Sequence, residues 1–162
     1  MIKKVLENQY NKCFNMLSGI INKYNDGLWY DDKNYQSPVW QIIYHGVFIA
    51  NIYCSASEDK IVNWSKSKQD YHFLGNKPWP PFEEVILKDT YTKDEMLEFI
   101  EFVRDLVPAY LIDMKPEEKC WPDWYEENQL EFQINNMRHI QHHLAEIIER
   151  QNNISNLKYT WE

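Results

Sequence analysis

Arg138-His139-Ile140-Gln141-His142-His143 interrupts an apolar rhythm late in the chain. Around it Leu130, Ile134, Met137, Leu144 and Ile148 recur at helical intervals, as they do on a helix with one buried stripe. His139 and His143 stand four residues apart. On an α-helix that spacing turns the side chains by about 40° and lifts them by about 6 Å, so both imidazoles share one face. Two neutral imidazoles on one face form half of a site for a divalent metal ion. The helix is expected to run to about Arg150, opened by a capping box at Asp123-Trp124-Tyr125-Glu126.

Three further segments repeat the helical period. From about Lys3 to Tyr24, Val5, Leu6, Cys13, Phe14, Leu17, Ile20, Ile21 and Tyr24 mark a first helix, which Asp26-Gly27 is expected to end. Ser37-Pro38 reads as an N-cap followed by proline at the first helical position. The second helix then continues to about Ala56 and is apolar on nearly all sides, as a buried helix is. Thr92-Lys93-Asp94-Glu95 is a capping box that opens a third helix, which Pro108 is expected to kink or divide. Between the second and third helices, residues 57–90 form a long connection, with a short helical piece expected at Ile61 to Trp64 and breakers at Lys77-Pro78-Trp79-Pro80-Pro81. Four helices of roughly 20 residues, each about 30 Å long, make an all-α four-helix bundle. The long crossover lets helices two and three run parallel, an up-down-down-up order.

Composition sets the outer bounds. A chain of 162 residues suits one domain, spanning 1–162. With 44% hydrophobic and 26% charged residues it is ordinary for a soluble globular protein, and only 4 glycines argue against a turn-rich β-sandwich. The net charge of −8, with no offsetting block of Lys and Arg, disfavours nucleic acid and anionic membrane surfaces as partners. No uninterrupted apolar stretch approaches about 20 residues, so no membrane span is expected. Met1-Ile2-Lys3-Lys4-Val5-Leu6-Glu7-Asn8 turns polar too early for a signal peptide. Cys13, Cys54 and Cys120 form no CxxC and read as reduced thiols of a cytoplasmic protein.

His45, in the middle of the second helix, is the third candidate ligand. If the fold brings it to His139 and His143, three nitrogens face one ion and leave room for water or substrate, the pattern of a catalytic site. Residue chemistry also allows another arrangement, in which His45 is a core histidine donating to a carbonyl and His139, His142 and His143 form a polar helix face. His142 lies about 100° from His143 and suits a supporting or surface role. His72 reads as loop packing. Cys54 follows His45 by nine residues, about 180° round the helix, and should point away. Glu146, one turn beyond His143, is a candidate to hydrogen-bond a metal-bound water, or else a solvated carboxylate. Glu-x-x-His and HExxH are both absent, as are GxSxG, Walker and dinucleotide glycine motifs.

His45 in the second helix, Pro81-Phe82-Glu83-Glu84 at the end of the crossing connection, and the Arg138–His143 run together resemble the DinB/YfiT-like superfamily of metal-binding four-helix bundles. The resemblance spans nearly the whole chain. It implies that His45, His139 and His143 are the metal ligands. Where many relatives have Gly-Gln soon after the last histidine, this chain has Ala145-Glu146. The resemblance further implies Zn²⁺ or Ni²⁺, and a thiol-dependent S-transferase that joins a low-molecular-weight thiol such as bacillithiol to an electrophilic small-molecule substrate. A metal-dependent hydrolase assisted by Glu146 is the alternative, as is a non-catalytic bundle binding a ligand or partner. A homodimer is expected on the same grounds.

Overall fold

The computed structural model describes residues 1–154, whose regular elements are all helices, without strands. Five α-helices follow in order: α1 (Ile2–Lys23), α2 (Asp26–Trp29), α3 (Val39–Tyr53), α4 (Lys93–Asp113) and α5 (Gln129–Asn152), with a 3₁₀ turn at Glu58–Lys60. The four long helices pack pairwise. α1 lies against α4 and α5, and α3 lies against the same two.

Several boundaries differ from those the sequence suggests. Asp26-Gly27 does not simply close α1. Tyr24 leaves the helix in an extended conformation, and Asn25 then caps the single turn α2 by accepting from the Gly27 amide. Pro38, not Ser37, precedes the first turn of α3, and no side chain caps it. The piece expected at Ile61 to Trp64 is not helical; the turn lies just before it. Pro108 does not divide α4. It sits on the exposed side, where water can satisfy the carbonyl its ring leaves unbonded. The second capping box is not at Asp123. Asn128 accepts from the Glu131 amide, while Glu131 accepts from the Asn128 amide.

The stripe on α5 is also shifted. Leu144 is buried as expected, but Ile134 is exposed and Leu130, Met137 and Ile148 are only partly covered. The face turned inward carries Phe132, Gln133, Asn136, Ile140, His143, Ile147 and Gln151 as well. Polar side chains are tolerated there because most of their polar atoms find partners on α1, α3 and α4. Tyr10 donates its hydroxyl to Gln133 Oε1 at 2.6 Å and accepts from Asn136 Nδ2 at 2.8 Å.

The connection from α3 to α4 is tied down by aromatic side chains. Trp64 stacks on Phe99 of α4 at 4.5 Å, and Tyr91 stacks on Tyr44 of α3 at 4.9 Å. The Tyr91 hydroxyl donates to the Lys66 carbonyl, and its own carbonyl accepts from the Trp29 indole at 2.8 Å. Gln41 of α3 donates to the Phe73 carbonyl at 2.8 Å. These bonds hold residues 71–73 along α3, one turn from His45.

Candidate metal centre

α3 presents His45 and α5 presents His139 and His143 to one point. The Nε2 atoms of His45 and His139 are 3.1 Å apart, as are those of His143 and His139. The three rings meet edge to face, with centroids between 4.7 and 5.0 Å apart. Two imidazole nitrogens at about 2.05 Å from a shared Zn²⁺ lie about 2.9 Å apart at a right angle and about 3.3 Å apart at the tetrahedral angle. The observed separation falls between these values. The three histidines form a group that can hold a metal ion.

The outer nitrogens fix what the inner ones offer. His45 Nδ1–H donates to the His72 carbonyl at 2.5 Å, and His143 Nδ1–H donates to Glu146 Oε2 at 3.2 Å. A neutral imidazole carries one N–H, so both rings keep a lone pair on Nε2, aimed at the same point. One proton on His139 Nε2 serves a single lone pair well, whereas a cation satisfies all three nitrogens. His139 Nδ1 is buried and has no hydrogen-bond partner.

Burial is the main influence on all three rings. It pulls His45 down to about 4, aided by His143, and His139 down to about 3, with His143 and His45 adding to the effect. His143 is lowered less, because the Glu146 carboxylate opposes its burial. The cluster is therefore neutral at pH 7, the state a metal requires of its ligands.

The remaining candidates fall around this cluster. Glu146 stands behind His143, with its second oxygen accepting from Arg150 Nη2 at 2.5 Å. His142 is exposed and packs its ring 5.1 Å from that of His143. His142, His143 and Glu146 also lie close enough to hold an ion, but Arg150 already occupies the carboxylate. His72 is part-buried. Its backbone oxygen serves His45, and its ring stacks on Phe48 at 4.2 Å. Cys54 is buried beside Gln133 and Asn136, away from the cluster. Sequence reasoning missed the His72 carbonyl, because backbone acceptors leave no trace in residue identity. It also missed Arg150, although an acid and a base four apart on a helix signal such a pair.

No family model matches the chain, and no curated protein or solved structure matches it either. Among the described residues, no helix is long and apolar enough to cross a membrane.

Proposed function

We propose that His45, His139 and His143 hold a divalent cation, Zn²⁺ or Ni²⁺, and that the chain is a metal-dependent S-transferase of the DinB-like kind. The observation that carries this reading is the convergence of three Nε2 atoms, two of them left with inward lone pairs by acceptors on Nδ1. The architecture proposed is a four-helix bundle of α1, α3, α4 and α5 in up-down-down-up order. The pairing of both α1 and α3 with α4 and α5 supports it, and residues 54–92 are long enough to return α4 alongside α3. We further propose that the protein is cytoplasmic and dimeric, and acts on a small molecule.

A bound divalent cation would lower the pKa of a thiol and supply it as thiolate to an electrophile. The chain itself contributes the ligand geometry, the tautomers and a burial that keeps the rings neutral. Hydrolysis with Glu146 as base is disfavoured, because both oxygens of that carboxylate are already engaged. The test is protein purified without added metal or a histidine tag, incubated with bacterial low-molecular-weight thiols and a panel of electrophiles. Thiol-dependent turnover above that of His139→Ala supports transfer. Turnover without thiol, lost in Glu146→Gln, would establish hydrolysis instead.

A further inference from the structure

The side of His143 turned away from the cluster begins a chain of contacts. Its Nδ1–H meets Glu146 Oε2 at 3.2 Å, and Glu146 Oε1 accepts from Arg150 Nη2 at 2.5 Å. Arg150 Nη1 donates to the Ser37 carbonyl at 2.8 Å, and the guanidinium lies 4.2 Å from the centre of the Tyr35 ring. His143, Glu146 and Arg150 follow at i, i+3 and i+7, one stripe of α5. Ser37 and Tyr35 lie just before α3, which carries His45. The chain thus links a ring on one helix to the entrance of the helix that supplies another.

This is not a loose surface pair. The Arg150 side chain is 12% exposed, that of His143 10% and that of Glu146 34%, so the pair is partly shielded from water and its geometry is constrained on both sides. Glu146 is held at both oxygens and cannot turn without breaking one bond. The other two rings lack this support. His45 leans on a neutral backbone carbonyl, and His139 Nδ1 has no partner. Only for His143 does a charged side chain face the outer nitrogen.

Resting on the metal reading of the three histidines, we propose that Glu146 and Arg150 are positioning residues for His143. Glu146 fixes the tautomer and strengthens the Nε2 donor, and Arg150 keeps Glu146 on Nδ1. A carboxylate behind a ligating imidazole raises its basicity, and losing such a partner typically weakens metal binding about 10- to 100-fold.

The test is Co²⁺ titration of the full chain, followed by metal affinity and the visible ligand-field bands, on wild type, Glu146→Gln, Glu146→Ala and Arg150→Met. Affinity should fall about 10- to 100-fold in Glu146→Ala. Glu146→Gln, whose amide oxygen still accepts from Nδ1–H, should lose less. Arg150→Met should shift the bands in the same direction as Glu146→Ala. A role confined to folding would lower the melting temperature in chelator but leave the bands of the loaded protein unchanged. If Glu146→Ala does not fold, the isosteric Glu146→Gln decides by the same bands. Wild-type affinity and bands in every folded variant would overturn the proposal while leaving the metal site intact. Absence of Co²⁺ binding by wild type would remove the metal reading, and this proposal with it.

Discussion

His139 Nε2 lies 3.1 Å from His45 Nε2, although 94 positions separate the two residues in the chain. Helix periodicity alone accounts for His139 meeting His143, but only packing of α3 on α5 accounts for His45. Because each ring contributes one nitrogen to the same point, each should be needed for metal. Wild type is expected to carry close to one equivalent after purification without a histidine tag, and His45→Ala, His139→Ala and His143→Ala far less. Elemental analysis of the three variants checks this. Full metal retention in any of them would remove that residue from the ligand set.

Thiol reactivity gives an independent test of the core. Cys13, Cys54 and Cys120 are all buried and free. Burial raises each thiol, and Cys54 reaches about 12. Near pH 8 only about one Cys54 in 10⁴ would be thiolate, the form that reacts. Native protein should therefore be nearly silent toward an aromatic disulfide reagent and release three equivalents in denaturant. Rapid reaction of one native thiol would mean that its surroundings open.

Helix periods, the Thr92 capping box and the facing of His139 and His143 were all legible in the residues, because each is a local property of the backbone repeat. Helix α2 was not, since it forms only because Asn25 caps a chain that has already left α1. The inward face of α5 was misjudged for a different reason. An apolar count favours Ile134 over Gln133 and Asn136, but those two are stabilised inside by Tyr10, a partner more than a hundred residues away. In the same way, Glu146 looks like a solvated carboxylate until the Ser37 carbonyl and Tyr35 are seen to hold Arg150 against it.

The start of α5 separates two capping assignments by experiment. Asn128 bonds the Glu131 amide at 2.9 Å, whereas Asp123 is exposed in the preceding loop. Asn128→Ala should cost about 1 kcal/mol, the usual loss of an N-cap side chain. That corresponds to a melting temperature lower by roughly 2–4 °C in a chain of this size. Asp123→Ala should leave the melt unchanged. The reverse ranking would place the helix start at Asp123 after all.

Alkaline pH should unfold the protein within a defined window. Burial raises Cys54 and Tyr24 to about 12, and holds Tyr10, Tyr53, Tyr91 and Tyr110 well above the ordinary tyrosine range. In the unfolded chain these groups ionise near 9.0 for cysteine and 10.0 for tyrosine. A group whose folded pKa is raised stabilises the fold fully below its unfolded pKa, and that contribution disappears as pH rises toward the folded value. Stability should hold up to about pH 9 and decline between 9 and about 12. The tyrosinate absorbance contributed by these five rings should appear together with the loss of far-UV circular dichroism. Tyrosinate forming in full while the helical signal persists would show that these hydroxyls are open to solvent.

Removing the Tyr10 hydroxyl tests the buried polar pairings between α1 and α5. That oxygen donates to Gln133 Oε1 and accepts from Asn136 Nδ2, and Tyr10 is 1% exposed. In Tyr10→Phe, Gln133 Oε1 keeps only the long contact from Cys54 Sγ at 3.8 Å, and Asn136 Nδ2 keeps the Ala50 carbonyl at 3.3 Å. Water cannot readily replace the lost partner in so closed a place, so the cost should be about 1–3 kcal/mol. Melting in chelator should then fall by roughly 2–12 °C. Metal content should stay at the wild-type level, because Tyr10 contacts none of the three histidines. An unshifted melt would mean that the network relaxes around the missing hydroxyl. A loss of metal together with stability would mean that Asn136 couples the polar core to His139 one turn away.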